Sequence, residues 1–164
     1  MNKMGGDDVH AQHADASHDC LHCAASYGNM ETIRELVAMG GDVNAPSADG
    51  TALHLAARHG HVETVKLLVK MGGDAHAKDE AGSTPLHDAA GAGHVETVRF
   101  LVGKLGGGVL ATQDKEGDTP LHFSALSGHA AAVRVLVELG SDVCARDRYG
   151  DTSLHMAATG KGTQ

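Results

Sequence analysis

The chain has 164 residues, with 13 Lys and Arg against 21 Asp and Glu and a formal charge of −8. That balance argues against a duplex-binding surface, which needs clustered positive charge, and against docking on anionic lipid. Four aromatic rings (Tyr27, Phe100, Phe123 and Tyr149) are too few for a base-stacking platform or a sugar cleft, and no apolar run approaches the roughly 20 residues of a membrane span.

Residues 1–16, MNKMGGDDVHAQHADA, have no apolar core and carry Asp7, Asp8 and Asp15, unlike a secretory or organelle leader. They are expected to form a disordered tail. The three cysteines, Cys20, Cys23 and Cys144, are an odd number without a disulfide framework. A reducing, intracellular setting follows, the cytoplasm first and the nucleus second.

From residue 17 to 159 the chain repeats itself. Asp19-Cys20-Leu21-His22, Thr51-Ala52-Leu53-His54, Thr84-Pro85-Leu86-His87, Thr119-Pro120-Leu121-His122 and Thr152-Ser153-Leu154-His155 are copies of one tetrapeptide, with histidines 32, 33, 35 and 33 residues apart. Six residues after each of the first four histidines stands a glycine: Gly28, Gly60, Gly93 and Gly128. Apolar triples follow in step: Ile33/Leu36/Val37, Val65/Leu68/Val69, Val98/Leu101/Val102 and Val133/Leu136/Val137. The units run 17–46, 47–78, 79–113 and 114–146, with a half-unit at 147–159 and a flexible tail at 160–164.

Each unit translates into local structure. Thr before Pro or a small residue is an N-cap with a favourable first helical position, and Asp19 can cap the first copy. A short helix, as from Pro85 to Ala92, ends at a glycine suited to the left-handed C-terminal cap. A second helix, about Glu63 to Met71, carries the apolar triple as one buried stripe. Stretches such as Asp79-Glu80-Ala81-Gly82 then read as turns. Helices this short are not stable alone, but stacking neighbours buries a continuous Leu/Val/Ala core. The fold class is therefore all-α, a short helical solenoid.

The pattern D-x-x-G-x-T-P-L-H-x-A-A-x-x-G-H with a V-x-x-L-L/V second helix, met most fully from Asp79 to Val102, resembles the ankyrin repeat. The resemblance covers about Ser17 to Thr159. It implies an ankyrin-type solenoid of helix-turn-helix units with hairpin connections, about four full repeats plus a terminal half-repeat.

Several positions depart from the pattern. Gly50 runs directly into Thr51, one residue short. The third unit has two extra residues within Gly103-Lys104-Leu105-Gly106-Gly107-Gly108, expected as a lengthened loop, with a contact loop or a change in curvature as the alternative. The fifth unit has one helix only, which should leave an apolar edge near Leu154 and Met156 that could meet a partner or a second copy. Asp88 stands where other units carry Cys23, Leu55, Phe123 and Met156. It reads as an exposed or locally paired carboxylate, with a polar hot spot as the alternative.

A search for chemistry leaves little. In ankyrin repeats the tetrapeptide histidine ties neighbouring turns together by hydrogen bonds. Successive copies lie about a helix-packing distance of ~10 Å apart, far beyond the ~2 Å of a zinc ligand. The exception is the cluster His10, His13, His18, Cys20, His22 and Cys23, with one C-x-x-C spacing, a lesser alternative as a metal site. Gly160-Lys161-Gly162-Thr163 lacks the remainder of a phosphate loop. There is no nucleophile elbow, and carboxylates are spread over turns and helix faces. No enzyme, cofactor or metal is expected.

The resemblance implies protein recognition on the concave face formed by turn tips and first helices. Carried onto this chain, the tip positions are Ser47 and Ala48; Glu80, Ala81 and Ser83; Lys115, Glu116 and Asp118; and Arg148, Tyr149 and Asp151. The helix-end positions are Ser26 and Tyr27; Arg58 and His59; Gly91 and Ala92; and Leu126 and Ser127. Tyr27, Arg58, Arg148 and Tyr149 are the strongest candidates, with Leu126 as an apolar anchor. His59, Glu80, Ser83, Lys115, Asp118 and Asp151 complete the expected partner-binding set. A spacer or regulatory segment of a larger protein is the competing role. Asn44 occupies the position that is hydroxylated in some ankyrin proteins. The acidic charge biases the partner towards neutral or basic surfaces.

Overall fold

In a computed structural model the structure describes residues 20–160. The expected tail at 1–16, the Asp19 cap, His10, His13 and His18, and residues 161–164 lie outside the described residues. Helix α1 spans 20–26. It is followed by α2 (Met30–Ala38), α3 (Ala52–Arg58), α4 (Val62–Lys70), α5 (Pro85–Gly91), α6 (Val95–Leu105), a 3₁₀ helix (Gly107–Ala111), α7 (Pro120–Leu126), α8 (Ala130–Glu138) and α9 (Ser153–Thr159). No strand occurs among the described residues; a single isolated bridge pairs Ser47 with Gly50.

The helices form two layers. The odd-numbered helices from α3 onward pack side by side, α3 on α5, α5 on α7 and α7 on α9, and each of α4, α6 and α8 backs the inner helix before it. The tetrapeptide leucines Leu21, Leu53, Leu86 and Leu121 are at most 1% exposed, each contributing about 1.5–3 kcal/mol of burial. Ile33, Val65, Val98, Leu68, Leu101 and Leu136 are wholly buried against them. Ala24, Ala25, Ala56, Ala57, Ala89 and Ala90 share this core, their small side chains admitting close approach of the layers.

The helix starts share one device. Thr51, Thr84, Thr119 and Thr152 hold extended backbone at the N-cap, with a histidine at N3 in each capping box. In α3, the Thr51 backbone N–H donates to His54 Nδ1 (3.1 Å), so Nδ1 is the unprotonated nitrogen. Nε2 therefore carries the proton and donates to the Ser83 carbonyl of the next unit (3.0 Å). The same relay joins His87 to Asp118 O (3.1 Å) and His122 to Asp151 O (3.2 Å).

Two details differ from the expectation. The extra residues of the third unit are not a longer loop. Helix α6 runs to Leu105, and the 3₁₀ turn that follows buries Val109 and Leu110. In the other units an Asp (Asp42, Asp74 and Asp142) accepts the backbone N–H two residues on. Val109 stands at that place and cannot, so the apolar side chains turn inward instead. The triple on α8 is also buried unevenly: Leu136 is fully buried, whereas Val137 is 42% exposed, with no further outer helix beside it among the described residues.

Candidate functional site

Three Asx turns build the hairpin tips. One carboxylate oxygen of each of Asp79, Asp114 and Asp147 accepts two backbone N–H groups: Ala81 and Ser83, Glu116 and Asp118, Tyr149 and Asp151, all at 2.8–2.9 Å. Successive tips are then joined directly, the Lys115 N–H donating to Ala81 O (3.0 Å) and the Arg148 N–H to Glu116 O (2.9 Å). Gly117 makes this approach feasible, because its φ is +84° and a Cβ there would lie 2.7 Å from the Arg148 nitrogen. The first hairpin is built otherwise. One residue shorter, it closes with reciprocal Ser47–Gly50 backbone bonds, and His22 Nε2 meets Ala45 O (2.9 Å).

On this frame the expected partner-binding residues fall into distinct settings. Tyr27 (84% exposed), Leu126 (47%) and Tyr149 (67%) stand clear of the core, as do His59, Glu80 and Lys115. Arg148 lies over the Tyr149 ring (4.8 Å). Its guanidinium pairs with Glu116 (2.9 Å), and the Tyr149 hydroxyl donates to the same carboxylate (3.0 Å). Asp118 and Asp151 are half-buried. Ser83 departs from the expectation: it is 3% exposed, its N–H held by Asp79 and its carbonyl taken by His54, so it has little surface to offer.

Arg58 is half-buried and already paired. It reaches Asp88 on α5 with Nη2 at 3.2 Å and Nε at 3.3 Å, and Asp49 of the first hairpin at 3.9 Å. Asp88 is thus the locally paired carboxylate. Its side chain is 10% exposed, and burial pushes its pKa up to about 6 against the opposing pull of Arg58. Its second oxygen is buried without a hydrogen-bond partner, as is one oxygen of Asp118. Burial, and then the neighbouring Asp114, also hold Asp118 above the usual carboxylate range.

Sequence reasoning passed over Asp49 and the Arg58–Asp88 pair. The signal was in register: Arg58 lies one helical turn beyond Leu55, and Asp88 is the next unit's equivalent of Leu55. Of the histidine–cysteine cluster, Cys20 and Cys23 are exposed and His22 is buried. No group of three or more His, Cys, Asp or Glu among the described residues is placed to hold a metal ion.

A family model for ankyrin repeats, three copies long, matches residues 5–79, 21–112, 64–147 and 105–163. The chain belongs to the ankyrin-repeat family. A search of curated proteins returned no match. Ankyrin repeats generally mediate protein–protein interaction, and ankyrin-repeat domains are typically non-catalytic. The histidine relay and the stacked helix-turn-helix units are what the family pattern implied for this ankyrin chain. No helix among the described residues is long and apolar enough to cross a membrane.

Proposed function

We propose that this ankyrin-repeat chain is a non-catalytic recognition module that binds a protein partner through its hairpin tips and inner helices. The observation that carries this reading is the pairing of a rigid frame with exposed, non-repeating side chains. Backbone bonds between tips fix Lys115 and Arg148 in place, Tyr149 is exposed beside Arg148, and Leu126 is exposed at the end of α7. Large amphipathic side chains held in position lose little entropy on binding, which favours them as anchors.

The test is capture of a partner by the tagged chain, repeated with Leu126→Ala and Tyr149→Ala. Binding should weaken about tenfold or more for an anchor while the urea midpoint stays unchanged. A partner retained equally by both variants would refute the face, and a chain that retains none would act as a spacer.

A further inference from the structure

The inner helices α3, α5 and α7 are each backed by an outer helix, α4, α6 and α8 in turn. Among the described residues no outer helix backs α9. Leu154 is exposed where Leu53, Leu86 and Leu121 are buried, and Val143 is exposed where Val43 and Ala75 are buried. Ala157 is exposed where Ala56, Ala89 and Ser124 are wholly buried. With Ala130 and Val133 of α8 these side chains line one apolar groove of about 780 Å³. Contiguous apolar surface of this kind on a protein marks a place where another molecule packs.

The chain itself shows what covers such a surface. At the three equivalent places the cover is an amphipathic helix of 9 to 11 residues, α4, α6 or α8. Each lays down a Val-x-x-Leu stripe whose leucine, Leu68, Leu101 or Leu136, is wholly buried. A helix placed on α9 would also continue the outer layer, in which α6 packs on α4 and α8 on α6. Arg134 adds a charge requirement. Lys66, Arg99 and Arg134 hold one repeat position on successive outer helices, and the first two reach across to the next outer helix. Lys66 lies over the Phe100 ring (6.0 Å) and Arg99 pairs with Glu138 (3.4 Å). Arg134 lines the groove and has no ion pair among the described residues. Residues 1–19 and 161–164 contain no Leu or Ile, so the stripe has to come from outside this sequence.

We propose that this groove is a docking site for an amphipathic helix of a partner protein, whose Val-x-x-Leu stripe covers Leu154, Val143 and Val133 and whose acidic residue meets Arg134. Recognition is then of the helix-in-groove kind, with anchors at i, i+3 and i+4. The site lies at the end of the stack and stands independently of the face proposed above.

The probe is a peptide of residues 128–140, which contains α8 and Glu138. A helix this short is marginal alone, so a lactam bridge on its solvent face holds it helical. Titrated into the intact chain and followed by methyl NMR, it should shift the Leu154, Val143 and Val133 signals saturably and leave Leu53 and Leu86 in place. Leu136→Asp in the peptide should abolish the shifts. Leu154→Asp in the protein should weaken binding about tenfold or more without moving the urea midpoint, since Leu154 is exposed. Val143→Asp gives the same comparison from a second exposed position. Arg134→Glu in the protein should weaken binding by at most about fivefold, and Glu138→Lys in the peptide should restore it. A peptide that shifts none of the groove methyls, or that binds both Asp variants as well as the parent, overturns the proposal. A charge swap that restores nothing overturns the acidic contact. Sedimentation that shows the chain pairing with itself through Leu154, with no peptide shifts, assigns the groove to a second copy and overturns the helical partner.

Discussion

Helices α5 and α9 begin with nearly the same words, Thr84-Pro85-Leu86-His87 and Thr152-Ser153-Leu154-His155, and end in different surroundings. Both form the same capping box, with Thr N–H to His Nδ1 at 3.1 and 3.2 Å. Yet Leu86 is 1% exposed and Leu154 is 76% exposed, and α9 has no buried residue. The difference separates two kinds of information. The cap is written in four residues and forms wherever they occur. Burial is supplied by neighbours, and α5 has α3, α6 and α7 where α9 has α7.

The sharpest way to break this comparison is to delete the leucine. Leu86→Ala should cost about 2–5 kcal/mol, as for a fully buried leucine, whereas Leu154→Ala should stay within about 0.5 kcal/mol. Urea unfolding of the two variants measures both. Equal costs would mean that α9 is covered in solution by something that packs as α6 does on α5.

The histidines should divide in the same way by a smaller amount. His87 links Thr84 to the Asp118 carbonyl across units, so His87→Ala leaves buried groups unpaired at about 1–3 kcal/mol. His155 caps its own helix and is exposed, and His155→Ala should cost about 1 kcal/mol or less. Acid should act through the buried pair as well. Burial lowers the pKa of His54 and of His87 below 6.5, and a proton on Nδ1 would face the Thr N–H that it now accepts. The unfolded chain then takes up protons before the folded one, so stability falls as pH drops below about 6.5.

Asp88 runs the opposite way. Its pKa rises from 3.8 to about 6 on folding, so its ionisation costs stability as pH climbs through that interval. Asp88→Asn should raise stability at pH 7.5 by about 1 kcal/mol, less than the full shift converts to because the Arg58 ion pair is weakened. The gain should fade as pH falls towards 4. A loss at pH 7.5 would mean that the pair with Arg58 outweighs the burial of the charge.

How far these features could be read from sequence follows the same division. Periodic markers located every inner helix from α3 to α9 and every outer helix, because caps, glycines and apolar triples act locally. The histidine relay was legible through the resemblance alone, since its acceptors at Ser83, Asp118 and Asp151 lie about one unit away. Three features depended on tertiary placement and were not legible: the inward turn of Val109 and Leu110, the burial of Ser83, and the Arg58–Asp88 pair that occupies a residue expected to be free. Each arises where a side chain meets the next unit, and a repeat pattern describes the unit better than the seam.

The smallest expected effect lies at the outermost seam of the face. Arg148 and Tyr149 are exposed and Glu116 is half-buried, and their contacts are an ion pair at 2.9 Å, a cation over a ring, and two bonds through the Tyr149 hydroxyl, accepted from Arg148 (2.7 Å) and donated to Glu116 (3.0 Å). Exposed pairs of this kind contribute little, so Tyr149→Phe should shift folding by less than about 0.5 kcal/mol. What the hydroxyl does is hold Arg148 in one orientation relative to Glu116. Its removal leaves the ring beneath the guanidinium but frees the head group, which side-chain NMR relaxation at Arg148 Nε would register as faster motion. Unchanged relaxation in the Phe variant would assign the ordering of Arg148 to the ring and to Glu116 alone. The recognition side would then owe its rigidity at that tip to charge and stacking rather than to the hydroxyl.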